Sequence, residues 1–315
     1  FDSLVSLVAL YAAEFWFPLS LAKKALDSKE ILLSSWESLK CEQINQSCSR
    51  ILLSVHRKAS RLAVMGDLGR YPLSVKAMAQ SLNYRQCLAS KPSGSLLGQA
   101  ISEMRQMAEQ GKDCWLIRVN RMAELIKLPN IPYSQSSGRQ ITKYVKSSFD
   151  RYWLDKISST RVGVDGEQHN KLMTYSSFKA FFGLEPYVTL VRNRNQRTHL
   201  SRLRLSAHRL SCELLRYKRP PVPRDQRYCV YCPPSGQGLR PVDNERHCLT
   251  ECIVGQNDRT ELHKSIASRN SRFMNLDAGD KFKLLVCPTN PSDCKAVSRF
   301  LDRHFEQRDK IDRGV

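Results

Sequence analysis

The chain has 315 residues, with 50 Lys and Arg against 30 Asp and Glu, a net charge of +20 and a pI near 9.7. That balance excludes an acidic solvating segment and calls for a polyanionic partner, nucleic acid before any other. The 11 cysteines are an odd number and no signal-peptide cleavage pattern precedes them, which argues against a disulfide-built secreted domain.

Residues Leu4 to Ala22 are apolar, but Glu14 and Pro18 interrupt them and Lys23 and Lys24 follow. A charge at mid-depth is costly in lipid, so the pattern predicts a buried helix from Asp2 to Phe17, ended by Pro18, and no membrane span. A second helix is expected from Ser35 to Val55, with Ile44, Cys48, Ile51, Leu52 and Val55 on its buried face. Gly66, Gly69 and Pro72 then punctuate a turn, and Ser74 is placed to cap a helix to about Tyr84. After a linker at 91–95, apolar residues at 97, 101, 104 and 108 predict a helix stopped by Gly111. Asp113 is placed to cap the next, with Trp115, Val119, Met122 and Ile126 on one face. Pro129 to Gly138 reads as a linker, and Arg139 to Ser158 as an amphipathic helix through Ile141, Val145, Phe149, Tyr152 and Trp153. Thr174 to Leu184 reads as a short helix with Phe178, Phe181 and Phe182 in the core. No convincing strand pattern occurs, so the fold class expected is mostly α.

Between Arg192 and Arg227 stand eleven Arg and Lys against Glu213 and Asp225, a local net charge of +9. A helix is expected from Thr198 to Leu215, with Leu203, Ala207, Leu210 and Leu214 inward. Arg202, Arg209 and Arg216, seven apart, would then line one face as phosphate contacts, joined by Arg204, Lys218 and Arg219. A stiff connector, Arg219 to Arg224, leads into Cys229, Cys232, His247 and Cys252, in the spacing C-x2-C-x14-H-x4-C. Three thiolates and an imidazole close a tetrahedral shell, so a structural Zn²⁺ without an open position is expected. Cys248 adjoins His247 and would strain to take the place of Cys252. The other cysteines, at 41, 48, 87, 114, 212, 287 and 294, are scattered and expected as small buried apolar residues. Beyond the module come a polar helix from Asn257 to Ser268, a helix capped by Asp277, and a last helix capped by Ser292. That last helix would bury Val297, Phe300, Leu301 and Phe305 before a frayed tail.

Several blocks together resemble the C-terminal portion of the reverse-transcriptase polyprotein of jockey-like, LINE-type (non-LTR) retrotransposons. Tyr11, Ala12, Glu14 and Trp16 are similar to the signature of the helix after the polymerase palm. Gly66-Asp67-Leu68-Gly69-Arg70-Tyr71-Pro72-Leu73 resembles a family stretch that carries Glu at the second position. The run from Leu200 to Cys232 resembles the basic helix before the family's zinc motif. Within the motif, Asp243, Asn244, Glu245, His247, Cys252 and Arg259 match. Cys248, Ile253 and Gly255 depart from it, standing where the family has an aromatic residue, Pro, and Tyr or Phe.

The resemblance implies thumb-like helices over 1–90, a helical linker over 91–170, a basic helical arm over 171–227, a CCHC zinc module over 228–260 and C-terminal helices over 261–315. It implies a part in target-primed reverse transcription, gripping template RNA or target DNA, in the nucleus and cytoplasm. The chain would be a piece of a longer protein, a reading that its start at Phe1 also suggested. No Tyr-x-Asp-Asp turn occurs, so no catalytic residue is expected here, and Mg²⁺ belongs to the missing palm. Two alternatives are a restriction-like endonuclease remnant, using Asp293 and Lys295 with Asp277 or Asp280, and a host-recruited zinc adaptor.

Overall fold

The computed structural model describes residues 5–131, 134, 137–159, 172–234 and 238–314. These are mostly α-helical, as expected. Among the described residues there is no strand, only two isolated antiparallel bridges, Leu68–Leu184 and Tyr228–Val242. No described helix is long and apolar enough to cross a membrane. The chain falls into two units, Phe1–Cys48 with Arg70–Lys156, and Ser49–Gly69 with Ile157–Val315.

The first unit holds α1 (Val5–Ala9), α2 (Ala13–Ser20), α3 (Lys29–Ser34) and the start of α4 (Lys40–Leu52). The first helix expected from sequence is two helices, broken where Ala12 takes a left-handed φ of 52°. Pro18 does not end it but lies inside α2. Proline brings no N–H for the Glu14 carbonyl, and the indole of Trp115 donates to that oxygen instead at 2.7 Å. Nor is this helix wrapped in core, since Leu7, Val8 and Tyr11 are exposed. In α4 the expected face is turned outward: Ile44, Ile51 and Leu52 are exposed while Glu42, Asn45 and Gln46 are buried. Glu42 explains the inversion. Its carboxylate accepts from Asn45, Gln46 and the backbone N–H of Leu73, where it caps α6 (Leu73–Ala89). Ser74 is therefore inside α6 and not its cap.

Three more helices complete this unit: α7 (Leu96–Glu109), α8 (Trp115–Leu125) and α9 (Ser137–Ser158). Trp115, Val119, Met122 and Ile126 are buried as expected, as are Ile141, Val145, Phe149, Tyr152 and Trp153. Asp113 does not cap α8, whose N-cap is Cys114; it pairs with Arg118 at 2.6 Å. The same guanidinium donates to the carbonyls of Pro18, Leu19 and Leu21 at the end of α2.

The second unit begins with α5 (Arg61–Leu68), closed by Gly69 at φ 58°. Only glycine fits there, because a Cβ would lie 2.4 Å from the Leu184 nitrogen. It continues with α10 (Met173–Phe178), α11 (Pro186–Leu190), α12 (Arg194–Arg204), α13 (Ser211–Leu214), α14 (Glu245–Thr250), α15 (Gln256–Ala267), α16 (Ala278–Val286) and α17 (Pro291–Arg313). Phe181 is exposed, against expectation, because α10 stops at Phe178 and the chain turns away. Val297, Phe300, Leu301 and Phe305 fill the core between α12, α15 and α17. The cap of α17 is Asn290, with Pro291 in its first turn, and not Ser292. The tail does not fray within the described residues, since α17 runs to Arg313.

A buried charge network ties this unit together. Arg204 donates to both oxygens of Asp67 at 2.8 and 2.9 Å and meets Glu185 at 2.9 Å. The hydroxyls of Tyr175 and Tyr187 complete the Asp67 carboxylate at 3.0 and 2.9 Å. Burial alone would raise the pKa of Asp67, but the Arg204 guanidinium overrides it and holds the carboxyl below its usual range.

Candidate metal centre and nucleic-acid interface

Cys229 and Cys232 flank a tight turn that begins beside the Tyr228–Val242 bridge, where Cys229 N–H donates to the Pro241 carbonyl at 2.8 Å. His247 comes from the first turn of α14, whose N-cap Asn244 accepts from the His247 N–H at 2.9 Å. A continuous helix could not bring His247 and Cys252 together without adjustment. The chain makes that adjustment by ending α14 at Thr250, so that Cys252 N–H turns back to the His247 carbonyl.

The four ligand atoms lie within 4.8 Å of one another, and all four residues are buried. Sγ of Cys252 is 4.0 Å from that of Cys229 and 3.9 Å from that of Cys232, and Cys232 Sγ is 3.3 Å from His247 Nε2. Around a tetrahedral ion with bonds of about 2.3 Å to sulfur and about 2.0 Å to nitrogen, such separations are about 3.8 Å and about 3.5 Å. The donor set therefore fits a metal ion without rearrangement. Its surroundings fit as well. His247 Nδ1 faces Glu251 at 3.5 Å, leaving Nε2 for the shell. The Ile253 N–H points at Cys232 Sγ, 3.4 Å away. Arg308 of α17 reaches Cys252 Sγ at 3.4 Å and is clamped by both oxygens of Asp243, at 2.7 and 3.0 Å. A divalent ion with three thiolates carries one net negative charge, and Arg308 is the cation placed to offset it. Cys252 is drawn below the usual thiol range by the hydrogen bond from Cys229 and by Arg308, while that hydrogen bond and burial push Cys229 up to about 12.

Cys248 is not part of the shell. It faces the opposite way on α14, into the core with Leu249 and Phe300. Among the described residues a second cluster joins His208, Cys212 and Glu245. There His208 Nδ1 accepts from the Leu210 N–H at 3.2 Å, so Nε2 carries the proton and donates to Glu245 at 3.1 Å. That nitrogen has no lone pair for a metal, and the cluster is a structural hydrogen-bond group. The matching residues around His247 thus have separate tasks. Asp243 holds Arg308, Glu245 holds His208, and Arg259 donates to the Cys252 carbonyl. Arg308 was missed from sequence because it is 56 residues from the nearest thiol it touches, in a segment that reads as a charged tail.

The expected arginine row does not form. The helix from Thr198 to Leu215 stops at Arg204, because Ser206 takes a left-handed φ of 48°. The Ala207 N–H then returns to the Arg202 carbonyl and Ser206 N–H to Leu203, a Schellman ending without the usual glycine. Arg204 is enclosed by Asp67 and Glu185 and takes no phosphate. Arg216 pairs with Glu213 at 2.8 Å, and Lys218 and Arg219 are exposed. Arg202 and Arg209 do come together, at a cleft of about 560 Å³ with Arg57, Lys58 and Tyr217. Arg202 donates to the Ser54 carbonyl, and Arg209 meets Asp309 at 2.9 Å on the open surface. Burial, then the neighbouring charge of Arg209, lowers the pKa of Arg202. Arg57 and Lys58, from the segment before α5, contribute half of the cleft's cations.

The residues named for a nuclease do not converge. Asp277 caps α16, Asp280 pairs with Lys283, and Asp293, on α17, pairs with Arg269 beyond the end of α15. The described cysteines are all free, and Cys41, Cys48, Cys87 and Cys287 are only half-buried. Comparison of the chain with protein-family models, with curated proteins and with solved structures gives no match.

Proposed function

We propose that this chain is the zinc-stabilised, nucleic-acid-binding C-terminal part of a LINE-type reverse transcriptase, which grips template RNA or target DNA and leaves polymerisation to a palm outside it. The observation that supports it best is the pairing, in one unit, of a buried Cys3His donor set with a cleft lined by Arg57, Lys58, Arg202 and Arg209. Soft thiolates in a tetrahedral set favour Zn²⁺ over Ca²⁺ or Mg²⁺. Bound there, the ion would supply folding energy to the 228–260 CCHC module and no reaction chemistry. Cys229, Cys232, His247 and Cys252 would hold it, Asp243 and Arg308 would fix the shell's charge, and α17 would be anchored to the module through Arg308.

Arg57, Lys58, Arg202 and Arg209 would carry phosphates at the cleft, with Lys218 and Arg219 on its approach. This replaces a row along one helix with two segments meeting. Arg57→Ala with Arg209→Ala should lower the slope of log affinity on log salt by about 1.4 for single strands and about 1.8 for duplex DNA. An unchanged slope overturns the cleft. Elemental analysis of purified protein should find about one zinc per chain, and Cys252→Ser should remove most of it. The family reading is tested by the reading frame ahead of Phe1, which should encode a Tyr-x-Asp-Asp turn.

A further inference from the structure

In the first unit a trough of about 830 Å³ lies between α6 and α9. Its two walls are chemically different. On α9, Arg139, Lys143 and Lys146 fall at i, i+4 and i+7 on one face. On α6, Lys76, Gln80 and Asn83 repeat that spacing. One end is closed where Asn83 meets Gly138 so closely that a Cβ at 138 would lie 3.1 Å from its side-chain oxygen. Near the other end the Lys146 ammonium lies 5.0 Å from the centre of the Tyr71 ring, and the Tyr71 hydroxyl bonds to Asp150. Among the described residues none of the four cations has an ion-pair partner, and Asp150 is the one carboxylate in the lining. The trough is therefore positive, with hydrogen-bonding amides along one side.

We infer that this trough binds a single strand of nucleic acid, with phosphates along Arg139, Lys143 and Lys146 and base edges toward Gln80 and Asn83. From Gly138 to Asp150 the wall runs about 18 Å at 1.5 Å per residue. That is the stacked rise of about five nucleotides at 3.4 Å each. Amides opposite the cations suit base edges, which present paired donors and acceptors, better than they suit an acidic peptide. The site depends on neither the metal nor the cleft of the second unit.

The test uses the full chain and fluorescence anisotropy with oligo(U) RNA, oligo(dT), blunt duplex DNA and poly-glutamate. Lys143→Ala with Lys146→Ala should weaken oligo(U) or oligo(dT) about tenfold at low salt and lower the salt slope by about 1.4. Whether RNA alone or both strands respond identifies the strand the trough takes. Gln80→Ala with Asn83→Ala should leave the slope and alter the ranking of homopolymers. Lys143→Arg with Lys146→Arg, which keeps the charge, should restore binding. An unchanged slope, an equal loss on duplex DNA, or displacement of oligo(U) by poly-glutamate at equal charge would each overturn the inference. Arg57→Ala with Arg209→Ala is measured in parallel. If only the trough variants are silent, this site falls and the proposed function stands; if only the cleft variants are silent, the cleft falls and the trough stands.

Discussion

Asp67, flanked by Gly66 and the turn at Gly69, is a fully buried carboxylate of the second unit. It is fully enclosed and accepts four hydrogen bonds, two from Arg204 and one each from Tyr175 and Tyr187. Asp67→Ala leaves the Arg204 guanidinium buried between the rings of Phe178 and Tyr187 with Glu185 as its remaining carboxylate. Breaking one side of a buried ion pair costs about 3–5 kcal/mol. Glu185 already shares its charge with Lys179, so it compensates little. A domain holds about 5–15 kcal/mol in all, so the loss should be about a fifth or more of the unit's stability. Urea unfolding should show it as a lower midpoint at unchanged slope. A loss below about 1 kcal/mol, the scale of an ordinary neutral hydrogen bond, would refute the reasoning.

The same group sets a pH test. Its folded pKa lies below the unfolded value of about 3.9, so its contribution is complete above that pH. It is lost as pH falls through the folded pKa. The stability gap between the wild type and Asp67→Asn should be constant near neutrality and close below about pH 4. A gap that widens in acid would mean that Asp67 is protonated in the fold at neutral pH.

Three further outcomes are expected. Arg308→Met should weaken metal binding about 10–100-fold in a competition titration with a chromogenic chelator, with Arg308→Lys between it and the wild type. Removing the metal with a strong chelator should expose the loop after Cys232 to proteolysis and lower the melting temperature, and added Zn²⁺ should reverse both. Gly69→Ala should destabilise by more than the roughly 1 kcal/mol of a simple left-handed penalty, because its Cβ meets the Leu184 backbone; denaturant midpoints measure it.

How much of this was legible in the sequence depends on whether the cause was local. The buried faces of α8, α9 and α17 follow from apolar spacing alone, and the structure buries them. The ligand set was legible because a metal shell needs fixed residue types at short spacing. What failed was decided by partners far away. In α4 the apolar stripe looked like core, yet Glu42 turns inward because the start of α6 needs an acceptor there. Only the three-dimensional path brings Leu73 to Glu42, so no window on α4 could show it.

The arginines make the same point about function. Net charge predicted an anionic partner, but spacing could not say which arginines remain available to one. Arg204 and Arg209 stand five positions apart in one basic run, yet one is buried against Asp67 and the other is exposed at the surface beside Asp309. The difference arises because Ser206 breaks the helix between them. Before the break Arg204 faces the core, and after it Arg209 lines the cleft with Arg57, Lys58 and Arg202. A left-handed serine carries no sequence signal, since glycine is the residue that marks such endings. One backbone torsion therefore separates Arg204, which holds the fold, from Arg209, which lines the cleft and pairs with Asp309 at the surface. Ser206→Gly should keep that division, whereas Ser206→Val, which resists the left-handed conformation, should weaken both stability and nucleic-acid binding.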